Sequence, residues 1–176
     1  MGKIEITKKV LGICATNCYT VVDTETKEAL IIDPADRADV LIRDWKDKGV
    51  TPTTVLLTHG HFDHIGALAG VKKEYPDIKV YAAAEEKEVM ESPALNLSSS
   101  FGAAFTAQAD IYLEDGAEIE VLGRKCKCLL VPGHTKGGMC YYFPEESVVF
   151  TGDTLFCYSV GRTDFPTGDA KALEDA

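Results

Sequence analysis

Apolar and polar positions alternate from Lys3 to Leu11, which predicts an opening strand. Two further runs, Tyr19 to Asp23 and Ala29 to Asp33, flank the polar stretch Thr24-Glu25-Thr26-Lys27-Glu28 and predict a hairpin that Asp33-Pro34 ends. The period then changes. Between Ala35 and Lys48 the residues Val40, Leu41 and Trp45 fall at helical spacing, with Trp45 toward the core and Gly49 as the stop. Thr54 to Thr58 is the next strand. Ile65 to Tyr75 follows as a helix that turns Leu68 and Val71 inward and Lys72, Lys73 and Glu74 to water. A short strand, Val80 to Ala83, precedes a short helix, Glu85 to Glu91. Strands alternating with helices point to an α/β fold. From Ser92 to Asp110 no period is visible, which predicts either a flap over a site or a surface connection. Beyond it, Ala117 to Leu122, Lys125 to Val131, Met139 to Phe143 and Ser147 to Thr151 read as four strands of a second sheet, with Pro144-Glu145-Glu146 turning the last pair.

Composition narrows the functional classes. A chain of 176 residues fits a single domain with a substantial core. Its net charge of −10 disfavours a nucleic-acid partner. No apolar run approaches the roughly 20 residues needed to span a bilayer, and residues 1–5 carry no signal-peptide core. Six cysteines are present without a C-x-x-C pair. Cys14, Cys18, Cys140 and Cys157 adjoin apolar segments, as buried free thiols do, and Cys126 and Cys128 share one face of a strand. The expectation is a reduced, cytoplasmic protein that does not engage a membrane.

The candidate chemistry follows the strand Thr54–Thr58. His59, His61, Asp63 and His64 put three imidazoles and a carboxylate within six residues. Imidazole suits zinc, iron, copper and nickel, so the mixture points to one or two transition-metal ions. At a strand end His59 and His61 face the same way, and a turn into a helix at Asp63 could aim Asp63 and His64 into the same cavity. A catalytic metal needs further ligands. The fourth histidine, His134, follows the strand-like run Cys128–Val131, and Asp153 follows the run ending at Phe150. Three strand ends would thus deliver ligands to one edge.

The order His59-x-His61-x-Asp63-His64, then Gly133-His134, then Gly152-Asp153 resembles the metallo-β-lactamase superfamily of metallohydrolases. Asn17-Cys18-Tyr19, Ile31-Ile32-Asp33-Pro34, Gly152-Asp153-Thr154-Leu155-Phe156 and Ser159 to Asp164 resemble its glyoxalase II-like branch, the hydroxyacylglutathione hydrolases, although Ala35 stands where that branch usually has Gly. The likeness runs from about Lys3 to Lys171. It implies an αββα sandwich of two mixed sheets flanked by helices. It also implies that His59, His61 and His134 hold one metal, Asp63 and His64 a second, and that Asp153 bridges them. Zinc is the expected ion, with iron or manganese as alternatives. Asp63 would act catalytically by orienting a hydroxide that attacks a thioester such as an acyl-glutathione. A departing thiolate, with a thiol pKa of about 8.5, needs little help from a general acid. Tyr158 and Arg162 are the candidate substrate contacts.

One departure stands out. The superfamily pattern has a later histidine that completes the second metal set, and no histidine follows His134. The expectation is a single domain over 1–176 that lacks its last C-terminal elements, with a weaker second metal. The helical domain that contacts glutathione in larger glyoxalase II enzymes has no counterpart, and the oligomeric state is not legible. Three other readings stay open. They are a mononuclear iron persulfide dioxygenase using His59, His134 and Asp153, a lactone or β-lactam hydrolase, and a non-catalytic metal-binding remnant.

Overall fold

The opening alternation becomes β1 (Ile4–Leu11), paired antiparallel along its length with β2 (Thr16–Asp23). The computed structural model describes residues 2–176. β2 pairs antiparallel with β3 (Glu28–Ile32), and from there the sheet turns parallel through β4 (Thr51–Leu56), β5 (Lys79–Ala83) and β6 (Ile111–Leu113). The six strands run in sequence order. Parallel neighbours need crossovers. α1 (Ala38–Asp47) supplies the first, and α2 (Phe62–Ile65) with α3 (Leu68–Glu74) supplies the second. Leu41, Trp45, Leu68 and Val71 pack these helices onto one face of the sheet. Trp45 is core-facing as expected, and its indole N–H donates to Thr20 Oγ1 at 3.0 Å, which satisfies the one polar atom it buries.

The other face of this sheet packs against a second, antiparallel one. Its order is β10 (Val148–Phe150), β9 (Met139–Phe143), β8 (Arg124–Leu130) and β7 (Glu118–Val121). Leu30, Ile32 and Leu56 from the first sheet meet Cys126, Cys128 and Tyr141 from the second in a common core. Strand periodicity places the two thiols on one face, while Lys125, Lys127 and Leu129 point to water. Two inter-sheet bonds fix the register near the histidine motif. Tyr141 Oη donates to the Leu57 carbonyl at 2.8 Å, and Met139 N–H to the Thr58 carbonyl at 2.8 Å. At the far end Arg124 reaches from β8 to Asp23 on β2 at 3.0 Å.

Two expectations need correction. The helix expected over Ile65–Tyr75 is two helices, because the chain packs against the segment after β3. Ala67 N–H donates to the Pro34 carbonyl at 2.9 Å, and a Cβ on Gly66 would lie 2.5 Å from the Ala35 carbonyl oxygen. Cys14 and Cys157 are exposed, since each lies in a hairpin turn rather than in the strands beside it. Of the two readings of 92–110, the flap over the site is the one the structure favours, because Leu97 and Phe101 border the same space as His61 and Asp63. Asn96 ties the segment to the Met90 and Phe105 carbonyls, and its own carbonyl accepts Phe62 N–H at 2.8 Å. β6, the small hairpin of β11 (Leu155–Phe156) and β12 (Ser159–Val160), α4 (Lys87–Glu91) and α5 (Ala170–Asp175) complete the chain. Among the described residues no helix is long and apolar enough to cross a membrane.

Candidate metal centre

Parallel strands present their carboxyl ends on one edge, and ligand sites gather there. β3 ends into Asp33, and β4 into Thr58 and His59. The second sheet contributes His134 after β8 and Asp153 after β10. The turn into α2 begins directly after His61 and brings Asp63 and His64 inward. All four histidines are buried.

Their nitrogens converge. His59 Nε2 lies 3.1 Å from His61 Nδ1, which lies 3.0 Å from His134 Nε2. His64 Nε2 sits 3.3 Å from Asp153 Oδ1 and 3.6 Å from Asp63 Oδ2, while Asp153 Oδ2 is 3.7 Å from His134 Nε2. Two groups have ligand atoms close enough to share an ion, namely His59 with His61 and His134, and His59 with His64 and Asp153. Asp153 thus faces both halves of the cluster. Asp63 stands at its rim, its Oδ2 accepting from Thr16 Oγ1 at 2.5 Å.

The outer atom of three rings is held. His59 Nδ1 lies 3.2 Å from Thr58 Oγ1, His134 Nδ1 donates to the Arg162 carbonyl at 2.7 Å, and His64 Nδ1 donates to Asp33 Oδ2 at 2.9 Å. Such outer partners orient the ring and, in a neutral imidazole, leave the inner nitrogen as a lone pair. Asp33 also accepts Thr58 N–H and Thr58 O–H, each at 2.7 Å, so one buried carboxylate orients both the β4 end and His64.

The electrostatics fit a cation. Burial pushes His59 well below the ordinary histidine range, helped by His64, His61 and His134. Burial, then His134 and His64, lower His61 to about 3. The ring nitrogens of His59, His61 and His134 lie 3.0–3.1 Å apart, close enough to face one cation together. A tetrahedral ion with bonds of about 2.0–2.1 Å would set such nitrogens roughly 3.3 Å apart. His64 behaves oppositely: burial opposes its charge, but Asp33, Asp153 and Asp63 outweigh burial and raise it well above the usual value. Asp153 is lowered, its burial outweighed first by the hydrogen bond to His64 and then by the surrounding histidines. His61 Nε2 and His64 Nε2 are buried without a protein hydrogen-bond partner, and Nε2 of His64 is the atom turned toward the carboxylates. The residues therefore fit one or two ions of the zinc or iron type.

Two cavities border the cluster. One, of about 360 Å³, lies on the His64 and Asp153 side against Tyr19, Phe150 and Phe156. The other, of about 280 Å³, opens in front of His61, Asp63, His134 and Asp153 and includes Arg162. The six expected metal ligands thus come together, and Arg162 comes with them. Tyr158 does not: it is fully exposed at the turn between β11 and β12 and lines neither cavity. Sequence reasoning missed Glu86, which lies at the end of β5 and accepts Gly60 N–H and Gly137 N–H.

A sandwich of two sheets with this cluster at one edge is the framework of a metallohydrolase. The chain belongs to the metallo-β-lactamase superfamily, whose family model matches residues 11–176. It is 36% identical over 165 residues to the probable metallo-hydrolase YqgX of Bacillus subtilis, covering 93% of this chain and 77% of that one. It is 34% identical over 163 residues to the hydroxyacylglutathione hydrolase GloC of Haemophilus influenzae, covering 89% and 74%. The BLEG-1 B3 metallo-β-lactamase superposes with a TM-score of 0.90 at 38% identity, covering 96% of this chain and 81% of that one. TTHA1623 in a di-iron-bound form superposes with a TM-score of 0.82 at 34% identity, covering 96% and 82%. These likenesses are consistent with a glyoxalase II-like member of the superfamily.

Proposed function

We propose that the chain is a metal-dependent hydrolase that cleaves a small-molecule thioester, with His59, His61 and His134 holding one ion, Asp63 and His64 facing a second, and Asp153 between them. The observation that carries this reading is the placement of Asp153, one oxygen 3.3 Å from His64 Nε2 and the other 3.7 Å from His134 Nε2. A carboxylate so placed serves both halves of a dinuclear site. Zinc is the preferred ion and iron its nearest competitor, in keeping with the di-iron form of TTHA1623. When bound, such ions lower the pKa of water from 15.7 to about 7 and polarise a carbonyl oxygen.

The chain's own residues supply the rest. Asp63, pinned by Thr16, offers its carboxylate beside the cluster to orient a water and accept its proton. The Arg162 carbonyl and Asp33 keep His134 and His64 from rotating. No side-chain acid other than the cluster's own groups lines the second cavity beside the leaving-group position. A thiolate, whose conjugate thiol has a pKa of about 8.5, leaves without one. This favours a thioester over an amide.

The test pairs metal analysis of the purified protein with turnover of S-D-lactoylglutathione and acetyl-N-acetylcysteamine. Metal binding with hydrolysis of either thioester is the expected result. Bound iron with oxygen uptake on a persulfide and no thioester turnover would replace this reading by the dioxygenase. Hydrolysis of a β-lactam or a lactone alone would replace it by that activity.

A further inference from the structure

Apart from the candidate ligands, the cavity of about 280 Å³ is lined by the polar Thr16, Asn17 and Arg162 and by a larger apolar set. Phe62, Leu97, Phe101, Phe156 and Phe165 line it. Phe62 and Phe101 stack at 4.7 Å with their planes 17° apart, so the segment 92–110 and α2 form one continuous apolar wall. Phe165 meets the edge of the His61 ring at 5.8 Å, so this apolar surface reaches the cluster itself.

The charges on the wall point the same way. Among the described residues its only Arg or Lys is Arg162. That guanidinium donates to both oxygens of Asp164 at 2.7 Å through Nε and Nη2 and lies 3.9 Å over the Phe165 ring, which leaves Nη1 as its remaining donor group. Asp63 and Asp153 are the remaining fixed charges besides the histidines, and both are negative. A thiol carrier such as glutathione brings two carboxylates of its own. They would meet a single exposed side-chain cation here, Arg162, already paired with Asp164.

We infer that this chamber selects its substrate by an apolar acyl group, a medium alkyl chain or a single aryl ring, carried on an uncharged thiol. The inference rests on the thioester-hydrolase reading above and names the substrate class for it. The chamber lies near the lower end of ligand pockets, which hold roughly 300–1,000 Å³. With the carbonyl at the cluster, the acyl chain lies along Phe62, Phe101 and Phe165, and the thiol carrier extends into solvent.

Two measurements on the metal-loaded chain test this. The first is kcat/KM for acetyl-, butyryl- and hexanoyl-N-acetylcysteamine, with S-D-lactoylglutathione beside them. Each buried methylene is expected to raise kcat/KM by about fourfold, and Phe101→Ala is expected to flatten that rise. The second is calorimetric binding of S-hexyl-N-acetylcysteamine and S-hexylglutathione, which needs no turnover. The two are expected to bind within roughly fivefold of each other, the most an exposed ion pair contributes. A flat acyl series overturns the inference, as does S-hexylglutathione binding tighter by about tenfold or more, the effect of a charged hydrogen bond. If no thioester turns over, the hydrolase reading fails, and the calorimetric comparison alone decides the preference of the chamber.

Discussion

Glu86 accepts the backbone N–H of Gly60 at 2.5 Å through Oε2 and that of Gly137 at 2.9 Å through Oε1. Gly60 stands between His59 and His61, and Gly137 follows His134 by three residues. One fully buried carboxylate therefore clamps the two loops that carry three of the candidate ligands, one loop from each sheet. Gly60 is fitted to it: a Cβ there would lie 2.7 Å from Met90 Cγ and 2.9 Å from Glu86 Oε2. Burial raises the Glu86 carboxyl, and hydrogen bonds from Thr135, Gly60 and Gly137 work against that rise.

Glu86→Gln keeps the volume but must turn an NH₂ group toward one of two N–H donors. The expected outcome is metal binding weakened by about 10–100-fold, the usual effect of losing an outer partner. A stability loss of about 1–3 kcal/mol for an unpaired buried donor should accompany it. Competition against a chromogenic chelator reads the first and denaturant unfolding the second. A variant that binds metal like the parent would show that the loops hold their positions without the clamp.

Asp33 makes a sharper prediction because it touches one candidate ligand, His64, directly and reaches His59 only through Thr58. Its three hydrogen bonds go to Thr58 N–H, Thr58 O–H and His64 Nδ1–H, all donors. An asparagine amide would oppose one of them and free the His64 ring to turn. Asp33→Asn is expected to weaken the ion facing His64 and Asp153 by about 10–100-fold and to affect the one at His59, His61 and His134 less, through Thr58 alone. Metal content after graded chelation distinguishes the two. Parallel loss of both ions would mean that the halves are coupled through Asp153.

Much of this site was legible in the sequence because metal ligands are carried by a few residue types at strand ends. Reading where β4, β8 and β10 end located His59, His134 and Asp153 without any knowledge of packing. The clamp and the orienting carboxylate were not legible, because their meaning lies in backbone N–H groups and ring nitrogens that only tertiary structure brings near. Asp33 stood in a noticed motif, but nothing local tied it to His64. The same limit explains the split helix at Gly66, where contact with Ala35 overrides an unbroken helical period. It explains β6 too, whose three residues are too few to alternate and which pairs only because β5 offers a parallel edge.

Loading the cluster should also be visible as stability. An ion that binds only the folded chain stabilises it by about 2.7 kcal/mol when present at a hundredfold excess over its Kd. For a chain of this length that corresponds to a rise in Tm of about 5–10 °C. Chelation should therefore lower Tm by that amount, and readdition of zinc should restore it. An unchanged Tm would mean that the converging imidazoles hold no ion in the folded state.

Acid stability tests the opposite end of the sandwich. Asp23 accepts Glu25 N–H at 2.9 Å and Thr26 N–H at 3.1 Å through Oδ1, and Arg124 Nη1 at 3.0 Å through Oδ2. The hydrogen bonds from Thr26 and Glu25, then Arg124, hold its carboxyl below the usual carboxylate value. The unfolded chain, with an aspartate pKa of about 3.9, therefore takes up this proton at a higher pH than the folded one. The stabilisation is complete above that pH and is lost as pH falls through the folded value. Asp23→Asn removes the titration, and an amide nitrogen at the Oδ2 position would face the buried Arg124. Parent and variant should thus differ most in Tm near pH 6 and converge toward roughly pH 2–3. Parallel curves across that range would show that Asp23 does not gain its proton on unfolding. Convergence would show that protonating Asp23 removes the stabilisation supplied by Thr26 and Glu25 N–H and by Arg124, at the end of the sandwich away from the metal ligands.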